Sequence, residues 1–125
     1  MDIFRFREFP VYKDALKFRK ELKQLSKNKF PKEENFILRP QLWRSLDSII
    51  LNIAEGSDKY SDKDFSHFLN ISLGSLNEVI SCLDCALNDE YISDEEYRDM
   101  LIKADSLARQ LKAFLSKIRK DNYKS

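Results

Sequence analysis

The chain has 125 residues, a net charge of +1, and only two glycines and three prolines. Its length suits one domain, residues 1–125, with a sizeable core. So few turn residues exclude sheet-rich and loop-rich folds and favour long helices. Near-neutral overall charge gives no global argument for nucleic acid or an anionic membrane. The charge is uneven, however: net +4 over residues 1–34, 0 over 35–60, −5 over 61–92 and +2 over 93–125. Basic terminal helices would thus flank an acidic third helix and attract it, within the chain or between subunits.

Residues 1–9 alternate Phe4 and Phe6 with charged neighbours and read as extended. The first helix is expected over about 10–28, since Pro10 suits a first turn. Val11, Ala15, Phe18, Leu22 and Leu25 form its apolar stripe. Phe30-Pro31 ends it. After a connector, a second helix is expected over about 39–56, with Leu42, Leu46, Ile49 and Ile53 on one face and Gly56 as its stop. Ser61 caps a third helix, about 61–90, with Asp62 and Asp64 in its positive first turn. Phe65, Phe68, Ser72, Leu76, Val79, Leu83 and Ala86 make its main seam, and Leu73, Ile80 and Leu87 make a second stripe. Two stripes imply burial on two sides. Ser93-Asp94-Glu95-Glu96 is a capping box for a fourth helix, about 93–120, beyond which the chain should fray. Short connections predict an all-α, antiparallel up-down-up-down four-helix bundle.

No apolar run reaches the roughly 20 residues that span a bilayer, and Met1–Arg7 lacks the features of a signal peptide. Two cysteines within one helix make no disulfide framework, so a reducing cytoplasm is expected, without membrane association.

Few residues suggest chemistry. On the second and third helices, Arg44, Ser48, Asn52, Glu55, Ser75 and Glu78 read as a structural polar network. Facing positions would pair Arg44 with Glu78 and place Ser48 near Ser72, while Gly74 and Ser75 would let the helices approach closely. Glu55 and Glu78 are too far apart along a hairpin to share a proton. Cys82-Leu83-Asp84-Cys85 has C-x-x-C spacing but no second half-site, and His67 has no nucleophile or metal partner. No catalytic residue, metal or cofactor is therefore expected. Lys13, Lys17, Lys20 and Lys27 could follow phosphates of RNA or DNA, although charged helix faces are usually only solvated. Trp43, Ile50, Leu73, Ile80 and Leu87 are the candidate oligomer interface.

The run Ser48-Ile49, Asn52-Ile53-Ala54-Glu55-Gly56, followed by Phe65, Phe68-Leu69, Ile71, Gly74-Ser75-Leu76 and Glu78, resembles the bacterial 23S rRNA intervening-sequence proteins. Gln41, Arg44, Phe9–Ala15 and Phe30–Glu34 fit as well, so the similarity covers about residues 6–119. The resemblance implies a four-helix protomer assembling as a ring-like homopentamer. It is also similar to the accessory subunit of diversity-generating retroelements, a basic pentamer that binds nucleic acid and a reverse transcriptase. For most members no activity is established. The chain departs from the pattern at Trp43, where arginine is usual, and at Asp47, where a small apolar residue is usual. The expectation is a non-enzymatic, cytoplasmic homo-oligomer acting as a scaffold or adaptor for a protein or nucleic-acid partner. The alternative is direct RNA or DNA binding through the basic faces of the first and fourth helices.

Overall fold

Four long apolar-striped segments separated by three short breaks become four helices. The computed structural model describes residues 3–124, in the order α1 (Pro10–Lys29), α2 (Leu38–Ser57), α3 (Asp62–Asn88) and α4 (Asp94–Lys124). Short 3₁₀ turns precede α1 at Arg5–Glu8 and α2 at Lys32–Glu34, and no strand occurs among the described residues. The first of these turns replaces, at Arg5–Glu8, the extended entry expected for residues 1–9, of which Met1 and Asp2 lie outside the described residues. Phe4 and Phe6, and Phe6 and Tyr12, meet edge to face there, and Arg5 Nη2 donates to Ser57 O at 3.0 Å, capping the end of α2.

Helix boundaries follow local capping chemistry. The Glu34 carboxylate accepts from the Leu38 amide at 3.3 Å. That moves the start of α2 one residue ahead of Arg39. Ser61 Oγ accepts from the Asp64 amide at 3.1 Å, as expected for an N-cap. Helix α3 stops at Asn88 rather than 90, because Glu90 takes a positive φ of 63°. The Tyr91 amide then reaches back to Ala86 O at 2.9 Å, a closure usually served by glycine. Helix α4 continues to Lys124 beyond the expected stop near 120, as no glycine or proline interrupts it.

The capping box at α4 is complete. Glu96 N donates to Ser93 Oγ at 3.0 Å, and Ser93 N donates to Glu96 Oε1 at 2.9 Å. Those bonds, the Ser93 amide foremost, hold the Glu96 carboxyl below its ordinary value of 4.5. A depressed folded-state value stabilises the fold above the unfolded-state pKa, and the contribution disappears as pH falls through the folded one. Glu96→Gln should therefore be less stable than the parent at pH 7, and urea titrations should show the difference vanishing in acid.

The core is built from the stripes. Leu22, Leu42, Leu46, Ile49, Ile53, Leu69, Leu83, Leu107 and Leu111 are fully buried. At the lower end, Phe9, Phe65 and Phe114 interlock with ring centroids 5.1–6.5 Å apart. At the other end Phe30 meets Tyr91 at 5.9 Å. The phenol of Tyr91 donates to Glu34 Oε2 at 2.7 Å, which pushes its pKa up to about 12. No helix among the described residues is long and apolar enough to cross a membrane.

Candidate functional site

The most extensive helix pairing joins α2 and α3, and small residues permit it. An added Cβ at Gly56 would sit 2.7 Å from Phe68 Cβ and 3.0 Å from Phe65 Cδ1. Beyond that contact, polar side chains form a chain of hydrogen bonds between the helices. Ser48 Oγ and Ser75 Oγ lie 2.6 Å apart. Asn52 Nδ2 donates to Ser48 O at 2.8 Å and to Ser48 Oγ at 3.0 Å. Ser45 Oγ is within donating distance of Gln41 O (3.0 Å) and Glu78 Oε2 (2.8 Å). Ser72 Oγ donates to Ile49 O at 2.9 Å inside the core.

The pairing differs in detail from the expected network. Ser48 meets Ser75, not Ser72, because the helices sit slightly out of the anticipated register. Arg44 does not pair with Glu78. Its guanidinium donates to Gln41 Oε1 at 2.7 Å, and Ser45 takes the Glu78 carboxylate instead. Glu55 stays on α2 and pairs with Lys59 at 3.1 Å. The close approach expected at Gly74 is also absent, since an added Cβ there would meet nothing within 4 Å. Gly56 has that role. Ser45 and Ser75 are buried and hydrogen-bonded, an arrangement that joins the helices.

The outward side of this hairpin is different in character. Arg44, Ser48, Leu51, Asn52 and Glu55 recur at helical spacing on α2, and Ile71, Gly74 and Glu78 do so on α3. Leu51 is 64% exposed, and Ile71 is exposed too. Leu51 also lines an open groove of about 510 Å³ with Ile3, Phe6, Ala54 and Glu55. The apolar residues expected at an oligomer interface lie elsewhere. Ile50 is buried, and Leu73, Ile80 and Leu87 are half-buried against the core. Trp43 turns to α1, donating from Nε1 to Ser26 Oγ at 2.9 Å under the Lys23 ammonium, 4.4 Å from its ring. Their 3.6-residue periodicity could not distinguish a core face from a free one.

The lysines considered for nucleic acid are exposed but unequally available. Lys13 pairs with Glu8 at 3.3 Å, and Lys27 lies 5.6 Å from the Trp43 ring. Lys17 and Lys20 border an α1–α4 groove that also holds Glu21 and Lys103. Lys103 is clamped by Glu21 at 2.5 Å and Asp99 at 3.2 Å, contacts that raise its pKa, Glu21 first. Cys82 is buried and its thiol is pushed up to about 11, chiefly by burial and then by Cys85 and Glu78. Cys85 is exposed. Among the described residues no group of three or more His, Cys, Asp or Glu could hold a metal ion.

Sequence reasoning missed the side chains that dock α1 on α2. Arg19 Nε donates to Asp47 Oδ1 at 2.6 Å. Arg39 Nη2 donates to Ser26 O at 3.0 Å and Phe30 O at 2.8 Å, while Nη1 reaches Asn35 Oδ1. Trp43 and Asp47, the two departures noted above, thus both serve this contact.

These features define an all-helical, four-helix protein whose polar centre is an interhelical seam. The family model for the 23S rRNA-intervening sequence protein matches residues 7–113, and the chain belongs to that family. A solved structure from Bacteroides thetaiotaomicron, a protein with unknown function from the S23 ribosomal protein family, is also similar. It is 28% identical, with a TM-score of 0.77, over 85% of this chain and 95% of that one. No curated protein matches the chain.

Proposed function

We propose that this protein is a non-enzymatic, cytoplasmic scaffold or adaptor that works as a homo-oligomer, with the outer face of the α2–α3 hairpin as the subunit contact. One observation carries the reading: Leu51 on α2 and Ile71 on α3 are exposed, and Ile71 stands one turn from Gly74, whose surroundings are open. A mid-helix glycine with no steric need costs about 1 kcal/mol relative to alanine. A neighbouring helix packed against it would supply the need. An up-down-up-down order is supported by contacts in opposing sequence order: Ser45–Glu78 and Ser48–Ser75, Asp14–Gln110 and Glu21–Lys103.

Further apolar side chains are exposed at unlike places, Phe36 and Ile37 before α2 and Tyr60 after it. Unlike patches about 30 Å apart suit head-to-tail contacts that close a ring, rather than a two-fold dimer. The number five is carried by the family resemblance alone. Binding of RNA or DNA through Lys13, Lys17, Lys20 and Lys27 is the alternative, and the pairing of Lys13 with Glu8 and of Lys103 with Glu21 lends it less support.

The test is a Leu51→Glu, Ile71→Glu double variant. Both sites are on the surface, so protomer stability should change by only about 0.5 kcal/mol each. Light scattering should show the assembly reduced to protomers, with helical circular dichroism retained. An unchanged assembly mass would remove this face from the account.

A further inference from the structure

A second groove, away from the α2–α3 face, lies between the start of α3 and the end of α4. It has a volume of about 390 Å³ and is lined by Lys63, Ser66, Asn70, Leu115 and Arg119. Its composition follows from helical spacing. Lys63, Ser66 and Asn70 stand at i, i+3 and i+7 on α3, while Leu115 and Arg119 stand at i and i+4 on α4.

The four polar side chains make no hydrogen bond or ion pair with any described residue. Six other cations, Lys13, Arg19, Lys29, Lys59, Lys103 and Arg109, each have a carboxylate partner; Lys112 and Lys117 on α4 are as free as Lys63 and Arg119 but do not share a groove with them. Asp62 and Asp64 flank Lys63 in sequence, each about 100° around the helix from it, and Asp62 stands one turn before Ser66. The groove therefore presents an ammonium, a guanidinium, a hydroxyl and a carboxamide around one half-buried leucine. No carboxylate lines it.

We infer that this α3–α4 groove binds a phosphate ester, its oxyanion held between Lys63 and Arg119 and its carbon body over Leu115. Phosphate matches the donors. The guanidinium gives a planar, two-pronged contact, and the ammonium adds a compact charge. Ser66 and Asn70 supply neutral donors to the remaining oxygens. Either a small phosphomonoester or the backbone of a nucleic-acid strand carries this chemistry. The groove shares no residue with the proposed subunit face, so either reading can fail alone.

The experiment follows the ³¹P line width of glycerol 3-phosphate titrated with the full-length protein at constant ionic strength. In parallel, the anisotropy of a labelled single-stranded RNA of about ten nucleotides is read, a length matched to one continuous groove. A Lys63→Gln, Arg119→Gln variant is compared with Lys112→Gln, Lys117→Gln, which removes equal charge elsewhere on the surface.

Saturable broadening by the parent should weaken about tenfold or more in the groove variant, which loses two charge-assisted contacts. The control should match the parent. If RNA binding is lost in the groove variant alone and glycerol 3-phosphate competes with it, the strand backbone is the source. If only glycerol 3-phosphate binding is lost, the source is a small phosphomonoester. Absence of saturable broadening, or equal weakening in both variants, would overturn the site.

Discussion

Gly56→Val should destabilise the protein by about 3 kcal/mol, the upper part of the range for forcing atoms into a packed contact. For a chain of this size that lowers Tm by roughly 10 °C at fixed protein concentration. The cause is local. A Cβ at residue 56 would lie 2.7 Å from Phe68 Cβ, an atom that moves only with the α3 backbone. Phe65 Cδ1, at 3.0 Å, belongs to a ring already locked against Phe9 and Phe114. Relief would require α3 to swing away from α2, stretching the Ser48–Ser75 and Ser72–Ile49 bonds farther along the pair. Gly74→Ala is the internal contrast. With open space around it, alanine should stabilise the protomer by up to about 1 kcal/mol through helix propensity alone. Urea unfolding of the two variants, each in the Leu51→Glu, Ile71→Glu background that removes the proposed subunit face, reads both effects. Equal behaviour would show that α2 and α3 do not meet closely at residue 56.

Arg39→Met should cost about 2 kcal/mol, typical of removing a charged hydrogen-bonding partner from buried groups. The guanidinium closes the end of α1 by holding Ser26 O and Phe30 O, ties in Asn35, and lies 5.9 Å from the Phe30 ring. Methionine keeps the stem and much of the volume but leaves Phe30 O without this donor. Arg39→Lys should not restore stability, because one ammonium cannot span acceptors that the planar fork reaches together. Thermal melts of the three proteins decide the point. A lysine variant as stable as the parent would mean that charge alone matters at residue 39.

The helical spans were legible because apolar periodicity and capping chemistry agree along this chain. Pro10, Ser61 and Ser93–Glu96 each mark a start by a local rule. The misplaced boundaries lack such signals. Glu90 adopts the left-handed conformation without being glycine, and Glu34 caps α2 from within a 3₁₀ turn.

The polar seam was legible as a set of residues but not as a set of bonds. A small shift in register sends Ser48 to Ser75 and gives Glu78 to Ser45 instead of Arg44. Long-range partners such as Arg39 with Ser26 and Phe30, Arg19 with Asp47, and Tyr91 with Glu34 leave no trace in spacing. The inward turn of Trp43 leaves no local signal, because its Ser26 partner lies 17 residues away. The α3–α4 groove was invisible for the same reason, as Lys63 and Arg119 come together only through packing.

Self-association through the outer face of α2 and α3 is tested most directly by native mass spectrometry of the unaltered 125-residue chain. A species of several chains is expected at micromolar concentration, about five times the 14.8 kDa protomer for a closed ring. A single species at 14.8 kDa would contradict it.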